Sequence, residues 1–170
     1  MNPEQDPRPP ERGGAAGGQE EASARTRLVS VAREYSRLVT EWFRAGEQAL
    51  RDKEQEFLIR AGMDASRVKD DIAGITDTVQ VLRRQQHLIY DRLSNGIDLA
   101  LQAGGSAEQR RRSLDLIEQA LLGMDRSIAA WLALKDSFPD LTDSILSLLV
   151  HLDRLRRSTL AEFPDARKTA

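Results

Sequence analysis

An apolar seam between Val68 and Ala100 constrains the fold of this chain more than any other feature of its sequence. Apolar side chains recur there at alternating spacings of four and three residues, so they line one narrow side of an α-helix about nine turns long. Gln86 and Gly96 interrupt the pattern. Because a seam of this length must be covered by other helices, the sequence predicts an all-α protein. The seam consists of Val68, Ile72, Ile75, Val79, Leu82, Ile89, Leu93 and Ala100.

The same spacing predicts a helix before the seam and sets the bounds of the seam helix itself. The first helix runs from about Ser23 to Ala61, and Gly62 is well placed to end it. The seam helix follows from about Ala65 to Ala103. The predicted core residues of the first helix are Leu28, Val31, Tyr35, Leu38, Trp42, Gly46 and Ala49, flanked by Val39, Phe43 and Leu50 and continued by Phe57 and Leu58.

A third helix is predicted after Gly104-Gly105, where Ser106 and Gln109 form a capping-box pattern. A fourth is predicted from about Pro139 to Glu162, because proline is tolerated in a first helical turn and Ser137 can cap it. The alternative is a kink at Pro139 within one long third helix. The predicted core residues are Leu114, Ile117, Leu121, Met124, Ile128 and Trp131 in the third helix, and Leu141, Ile145, Leu148, Leu149, Leu152 and Leu155 in the fourth.

Short connections between these long helices place chain neighbours antiparallel to each other. The predicted fold is therefore an antiparallel up-down-up-down four-helix bundle with long, coiled-coil-like helices. The alternative is a three-helix bundle whose last helix is kinked at Pro139. The predicted domains are a disordered, acidic, Pro- and Gly-rich tail over residues 1–22, one helical bundle over 23–163, and a frayed C-terminus over 164–170.

Four glycines lie inside the predicted helices. Each costs about 1 kcal/mol relative to alanine at an interior helical position. We expect close approach between helix backbones to compensate for this cost. The four are Gly46, Gly74, Gly96 and Gly123.

Composition excludes several classes of function. The chain has no cysteine, which excludes disulfides and thiolate sites, and its net charge of -2 gives no broad attraction to nucleic acid. No apolar run approaches the roughly 20 residues that span a bilayer, and residues 1–22 lack the apolar core of a secretory signal. We therefore expect a cytoplasmic protein. Arginine far outnumbers lysine, which is typical of a GC-rich bacterial genome.

No catalytic motif is recognisable, so we expect neither enzymatic activity nor a cofactor. Glu-x-x-His, HExxH and phosphate-binding loops are missing from the sequence. When the predicted hairpins are folded with turns near Met63, Gly105 and Phe138, Gln86 falls level with Thr40. His87 and His151 then fall in neighbouring layers with Glu41 and Asp125 nearby, which makes these four weak candidates for a metal site. The stronger interpretation is that Gln86, a polar residue in an apolar seam, sets the register between helices.

Clusters of arginine are the candidate interaction residues. In a four-helix bundle they point to the same end, where they could bind an anionic surface. The alternative interpretation is that they are solvated charges that favour solubility. The candidates are Arg110, Arg111, Arg112, Arg154, Arg156 and Arg157.

These observations favour a non-enzymatic helical-bundle protein that acts in interaction or scaffolding. It would self-associate as a homo-oligomer or bind a protein partner. One alternative is an amphipathic binder of a membrane or storage-granule surface, although such helices are usually richer in Lys and Arg. The other is a regulator with a ligand or metal site inside the bundle.

Overall fold

The protein is a bundle of four α-helices. The computed structural model describes residues 14–60, 65–102 and 104–167, and that part of the chain contains no strand. The predicted all-α helical-bundle fold is confirmed. The elements are α1 (Gly14–Arg60), α2 (Ala65–Leu101), α3 (Ala107–Ser137), a 3-10 turn (Pro139–Leu141), α4 (Thr142–Glu162) and a second 3-10 turn (Pro164–Arg167).

The first helix begins earlier than the sequence predicts. It starts at Gly14 instead of near Ser23, so residues 14–22 are helical rather than part of a tail. Extension of an existing helix requires no new nucleation, and the stretch contains good helix formers beside its glycines. The remainder of the predicted tail, residues 1–13, and the predicted stop at Gly62 lie outside the described residues.

The C-terminal segment is also more ordered than predicted. After α4, Pro164–Arg167 form a 3-10 turn in which Phe163 and Ala166 are buried. The Ala166 N–H donates a hydrogen bond of 3.1 Å to the carbonyl of Phe163. The guanidinium of Arg25 lies 5.1 Å from the centre of the Phe163 ring. The turn packs against α3 and α4, and the cation–π contact links Phe163, just before the turn, to α1. Residues 168–170 lie outside the described part.

Pro139 separates two helices, so the kinked three-helix alternative is wrong. The Phe138 N–H completes α3 by donating to the carbonyl of Leu134 at 3.0 Å. The short 3-10 turn that begins at Pro139 then redirects the chain, and α4 starts at Thr142. Proline supplies no N–H donor, which favours a new start at this point over helix continuation.

The start of α3 is the predicted capping box. The Gln109 N–H donates to Oγ of Ser106 at 3.2 Å, and the Ser106 N–H donates to Oε1 of Gln109 at 2.7 Å. Gly104, with φ of 77°, takes the left-handed conformation that allows the chain to turn before this cap.

Each helix packs against two others. Helix α2 lies against α1 and α3, and α4 also lies against α1 and α3. Between α1 and α2, Gln86 meets Thr40 while Tyr90 meets Arg33. The residue numbers of contacting pairs therefore rise along one helix as they fall along the other. Such pairs are what an up-down-up-down order predicts.

Aromatic residues fill the centre of the bundle. The indole N–H of Trp131 donates to the hydroxyl of Tyr35 at 3.0 Å across the core. The rings of Trp42 and Phe43 lie 5.0 Å and 6.0 Å from the Trp131 ring. Burial raises the pKa of Tyr35 to about 12, although the hydrogen bond from Trp131 partly opposes that rise. The predicted core position of Trp131 is confirmed.

The buried face of α1 is rotated slightly from the predicted one. Val39 and Phe43, expected at the edge of the face, are buried, whereas Leu38 and Trp42 are half-buried. The half-buried Trp42 directs its N–H to Oγ of Ser144 in α4, at 2.9 Å. The positions of α2 and α4 around α1 determine which residues of α1 are buried. The spacing of apolar residues along α1 does not specify the direction in which that buried face points.

Two of the four interior glycines allow helices α2 and α3 to approach closely. A Cβ added at Gly96 would lie 2.8 Å from Cδ1 of Ile117, and one at Gly123 would lie 3.0 Å from Oε1 of Gln85. At Gly74, in contrast, a Cβ would meet no atom within 4 Å. The expected compensation therefore applies to Gly96 and Gly123 and does not apply to Gly74.

Candidate interaction surface

Helices α1 and α2 continue past the level at which α3 ends. Phe138, directly after α3, lines a groove with Leu50 of α1 and Val79 of α2. Helix α1 then continues to Arg60, and α2 begins at Ala65. We call residues 47–60 and 65–79 the α1–α2 arm. The unequal lengths of the four helices produce this arm.

The apolar seam of α2 is only partly covered along the arm. Leu82, Ile89 and Leu93 are at most 1% exposed where four helices surround them. Ile72 and Ile75, on the same seam, are half-buried. The change occurs where α3 ends, and the last turns of α3 still line a second groove with Gly74, Ile75 and Thr78 of α2.

The groove on the arm can take one large apolar side chain. Its volume is about 170 Å³, and a dry apolar cavity of about 150 Å³ is large enough to bind benzene. Its apolar lining consists of Leu50, Ile72, Ile75, Val79 and Phe138, and its rim consists of Glu47, Arg51, Lys53 and Thr76.

The rim of the groove carries charges of both signs. Glu47 and Arg51 form an i,i+4 ion pair at 2.5 Å, and Lys53 lies 3.2 Å from a carboxylate oxygen of Glu56. Such pairs leave little net charge around the groove. The arm therefore presents an apolar slot between mixed charges, which suits an amphipathic helix better than a polyanion.

Gln86, the polar residue in the seam of α2, forms a hydrogen bond to α1. The Gln86 side chain, 5% exposed, donates its amide N–H to Oγ1 of Thr40 at 3.3 Å. Its Nε2 also lies 3.3 Å from Nε2 of His87. Its Oε1 is buried and has no hydrogen-bond partner among the described residues. This geometry is compatible with the predicted role of Gln86 in setting register, which stays a hypothesis.

The four metal candidates are not brought together. His87 and Glu41 line a groove between α1 and α2, while His151 lines a separate groove between α1 and α4. Asp125 accepts a hydrogen bond of 2.6 Å from Arg156. Within the described ranges, no three His, Cys, Asp or Glu side chains lie close enough to hold a metal ion. The register predicted from the sequence places Gln86 beside Thr40, as observed. Helix α1, however, lies between the two histidines.

Arg110, one of the candidate interaction residues, lies near Arg25 of α1 at one end of the bundle. Arg110 and Arg25 line the same groove beside Phe163. Arg111 and Arg112 are exposed. This groove also contains the carboxylates of Glu162 and Asp165. Cations and anions are therefore mixed there, in contrast to a uniformly basic pole.

The α4 arginines lie further along the bundle. Arg156 is bound by Asp125, and Arg157 forms an i,i+4 pair with Asp153 at 2.5 Å. Arg154 lines the groove that contains His151. Two of the three candidates thus have carboxylate partners. The six arginines do not form one continuous surface.

Sequence reasoning did not identify the groove on the arm. Phe138 lies beside the predicted break at Pro139, and no sequence pattern marks Thr76. The available signal was the difference in predicted helix length, since the first two helices are much longer than the fourth. That difference requires some part of the first two helices to lack neighbours.

Comparison with known proteins adds no functional assignment. Neither family models, nor curated proteins, nor solved structures give a significant match to the chain. In the part of the chain that the structure describes, we find no helix long and apolar enough to cross a membrane.

Proposed function

We propose that this chain is a non-enzymatic helical-bundle protein that acts through protein–protein interaction, between its own copies or with a protein partner. The single observation that carries the proposal is the half-buried seam of the α1–α2 arm. Ile72, Ile75 and Val79 are half-buried, whereas Leu82, Ile89 and Leu93 on the same seam are buried. Partly covered apolar surface of this kind is typical of interaction sites.

A partner helix would bind by placing an apolar side chain into the groove. Leu50 and Phe138 form two walls of the slot, and burial of one Leu or Phe side chain contributes roughly 1.5–3 kcal/mol. The mixed charges of Glu47 and Arg51 at the rim would fix orientation more than they add affinity. A partner that supplies several seam residues would reach useful affinity without a deep pocket.

The proposal is tested by light scattering of chemically cross-linked complexes purified from cells of the native source. The wild-type chain is compared with Ile72→Glu and with Val150→Glu, a control at a 66% exposed position on α4. We expect a complex of defined stoichiometry for the wild type and the control, and its loss for Ile72→Glu. A wild-type chain that purifies solely as a free monomer contradicts the proposal.

A further inference from the structure

We infer that the groove between α1 and α4 binds a phosphate group, held by Arg33, His151 and Arg154. The groove has a volume of about 530 Å³, within the roughly 300–1,000 Å³ that is usual for small-molecule sites. Phosphate oxygens accept hydrogen bonds, and the planar guanidinium of arginine can donate two of them in parallel. This ligand site lies apart from the α1–α2 arm and does not depend on the proposed function.

Arg154 contributes a positive charge that α4 itself does not neutralise. Side chains three and four positions apart on a helix are the ones that can pair along its surface. The residues at that spacing from Arg154 are Val150, His151, Arg157 and Ser158. None of them is acidic, and Arg154 forms no ion pair elsewhere in the part of the chain that the structure describes. Arg156 and Arg157, in contrast, are bound by carboxylates.

Arg33 contributes a second such charge from α1. The residues three and four positions from it are Val29, Ser30, Ser36 and Arg37. None of these is acidic. The Nη2 of Arg33 donates to the neutral hydroxyl of Tyr90 at 3.2 Å, and its guanidinium carbon lies 5.8 Å from the centre of the Tyr90 ring. This contact positions the guanidinium without cancelling its charge, and its remaining N–H groups can donate to a ligand.

The one carboxylate among the lining residues, that of Glu34, is already paired. Arg37 donates to it through Nε at 2.9 Å and through Nη2 at 2.5 Å. These hydrogen bonds lower the pKa of Glu34. Arg37 also binds Glu41, which lines the neighbouring groove between α1 and α2. The charges of Arg33 and Arg154 therefore stay uncompensated, although the chain as a whole has a net charge of -2.

Polar donors and an apolar wall complete the site. The hydroxyl of Ser30 and the ring of His151 line the groove, and neither has a hydrogen-bond partner among the described residues. Both groups can donate to a phosphate oxygen. Val31 and Val150 also line the groove, where they can contact the organic part of a phosphate ester. Donors from two helices thus surround an apolar patch, a combination that suits such an ester.

The test is a titration of the full chain with inorganic phosphate, at an ionic strength held constant with chloride, followed by NMR of the histidine rings. The chain has two histidines. His151 lies in the proposed site, whereas His87 lies in the groove that contains the carboxylates of Glu41 and Asp91. We expect a saturable shift of the His151 signals and little change at His87. Equal shifts of both rings that do not saturate would overturn the inference.

Substitutions test the assignment of residues. Arg154→Gln should weaken the binding of phosphate by about tenfold, because it removes a hydrogen bond between charged groups. Arg126→Gln, which removes the same charge from an exposed position on α3, is the matched control and should bind as the wild type does. Val150→Glu should weaken binding by placing a carboxylate in the groove, while it leaves the α1–α2 arm intact. Unchanged affinity in both Arg154→Gln and Val150→Glu overturns the assigned site.

A second arm of the experiment distinguishes a lipid headgroup from a soluble phosphate compound. The wild-type chain is sedimented with vesicles of phosphatidylcholine, with and without phosphatidic acid. Sedimentation that requires phosphatidic acid and is lost in Arg154→Gln would assign a lipid headgroup. Saturable binding of inorganic phosphate without sedimentation would assign a soluble compound. A chain that binds in neither arm overturns the inference, and the proposed function, tested with Ile72→Glu, would be unaffected.

Discussion

Gly96 and Gly74 lie on the same helix in different surroundings. At Gly96 an added Cβ would meet Cδ1 of Ile117 at 2.8 Å and the carbonyl oxygen of Ser113 at 3.1 Å. At Gly74 it would meet nothing within 4 Å. The intrinsic gain from glycine to alanine is about 1 kcal/mol at both positions. Opposite changes in the free energy of unfolding for alanine at Gly96 and at Gly74 would therefore show how closely α2 and α3 approach each other at Gly96.

We predict that Gly96→Ala lowers the free energy of unfolding by about 1–3 kcal/mol, because overpacking exceeds the helical gain. Gly74→Ala should raise it by up to about 1 kcal/mol. Urea unfolding followed by circular dichroism measures both. Stabilisation by Gly96→Ala would contradict the close approach of the two helices at Ile117.

Burial of Tyr35 makes the free energy of unfolding depend on pH in the alkaline range. Its buried hydroxyl has a folded-state pKa of about 12, against an ordinary value of 10.0. Below pH 10 the hydroxyl is protonated in both the folded and the unfolded state. Between pH 10 and 12 the unfolded state loses the proton while the folded state retains it, so stability falls as pH rises.

We predict that this fall is about 1.4 kcal/mol per pH unit above pH 10, and roughly 3 kcal/mol in total. Tyr35→Phe should lack it, although that variant starts about 1–3 kcal/mol less stable because the buried Trp131 N–H loses its acceptor. Urea unfolding from pH 8 to 11.5 measures the slope. Tyr90→Phe is the matched control and should keep the wild-type slope; a Tyr35→Phe slope equal to it would contradict the prediction.

At the scale of elements, one seam runs through two environments. Helix α2 carries Leu82 in the four-helix region and Ile72 on the arm. The first is 1% exposed, and the second is half-buried. Truncation at the buried position removes contacts on every side and leaves a cavity. Truncation on the arm removes contacts on one side and lets water fill the space.

We predict that Leu82→Ala lowers the free energy of unfolding by roughly 2–5 kcal/mol, as does Trp131→Ala in the centre of the core. Ile72→Ala should cost less, about 1 kcal/mol, when it is measured at a concentration at which the chain is monomeric. Chemical denaturation at low micromolar protein provides the comparison. Equal costs for Leu82→Ala and Ile72→Ala would mean that the arm is covered within one chain.

At the scale of the whole molecule, unequal helix lengths connect fold to function. Helix α1 has 47 residues and α4 has 21, so the four helices cannot be covered equally along their length. Part of the excess appears at the α1–α2 arm, where α4 is missing and α3 ends beside Phe138. The proposed interaction site follows from this mismatch in helix length.

The sequence by itself determined the helices and most of their ends. The seam spacing, the Ser106–Gln109 capping box and the break at Pro139 are local, because each depends on residues within one or two helical turns. The early start of α1 at Gly14 was not predictable in this way. It depends on extension from a helix that packing already holds.

Tertiary structure alone decided how each helix is rotated about its axis and which of its residues are buried by neighbouring helices. The sequence placed Gln86 level with Thr40 correctly, but a helix can turn about its axis at a constant level, and this rotation puts His87 and His151 on opposite sides of α1. The groove beside Phe138 likewise arises from three segments distant in sequence. Its shape depends on non-local packing, which spacing along one helix does not encode.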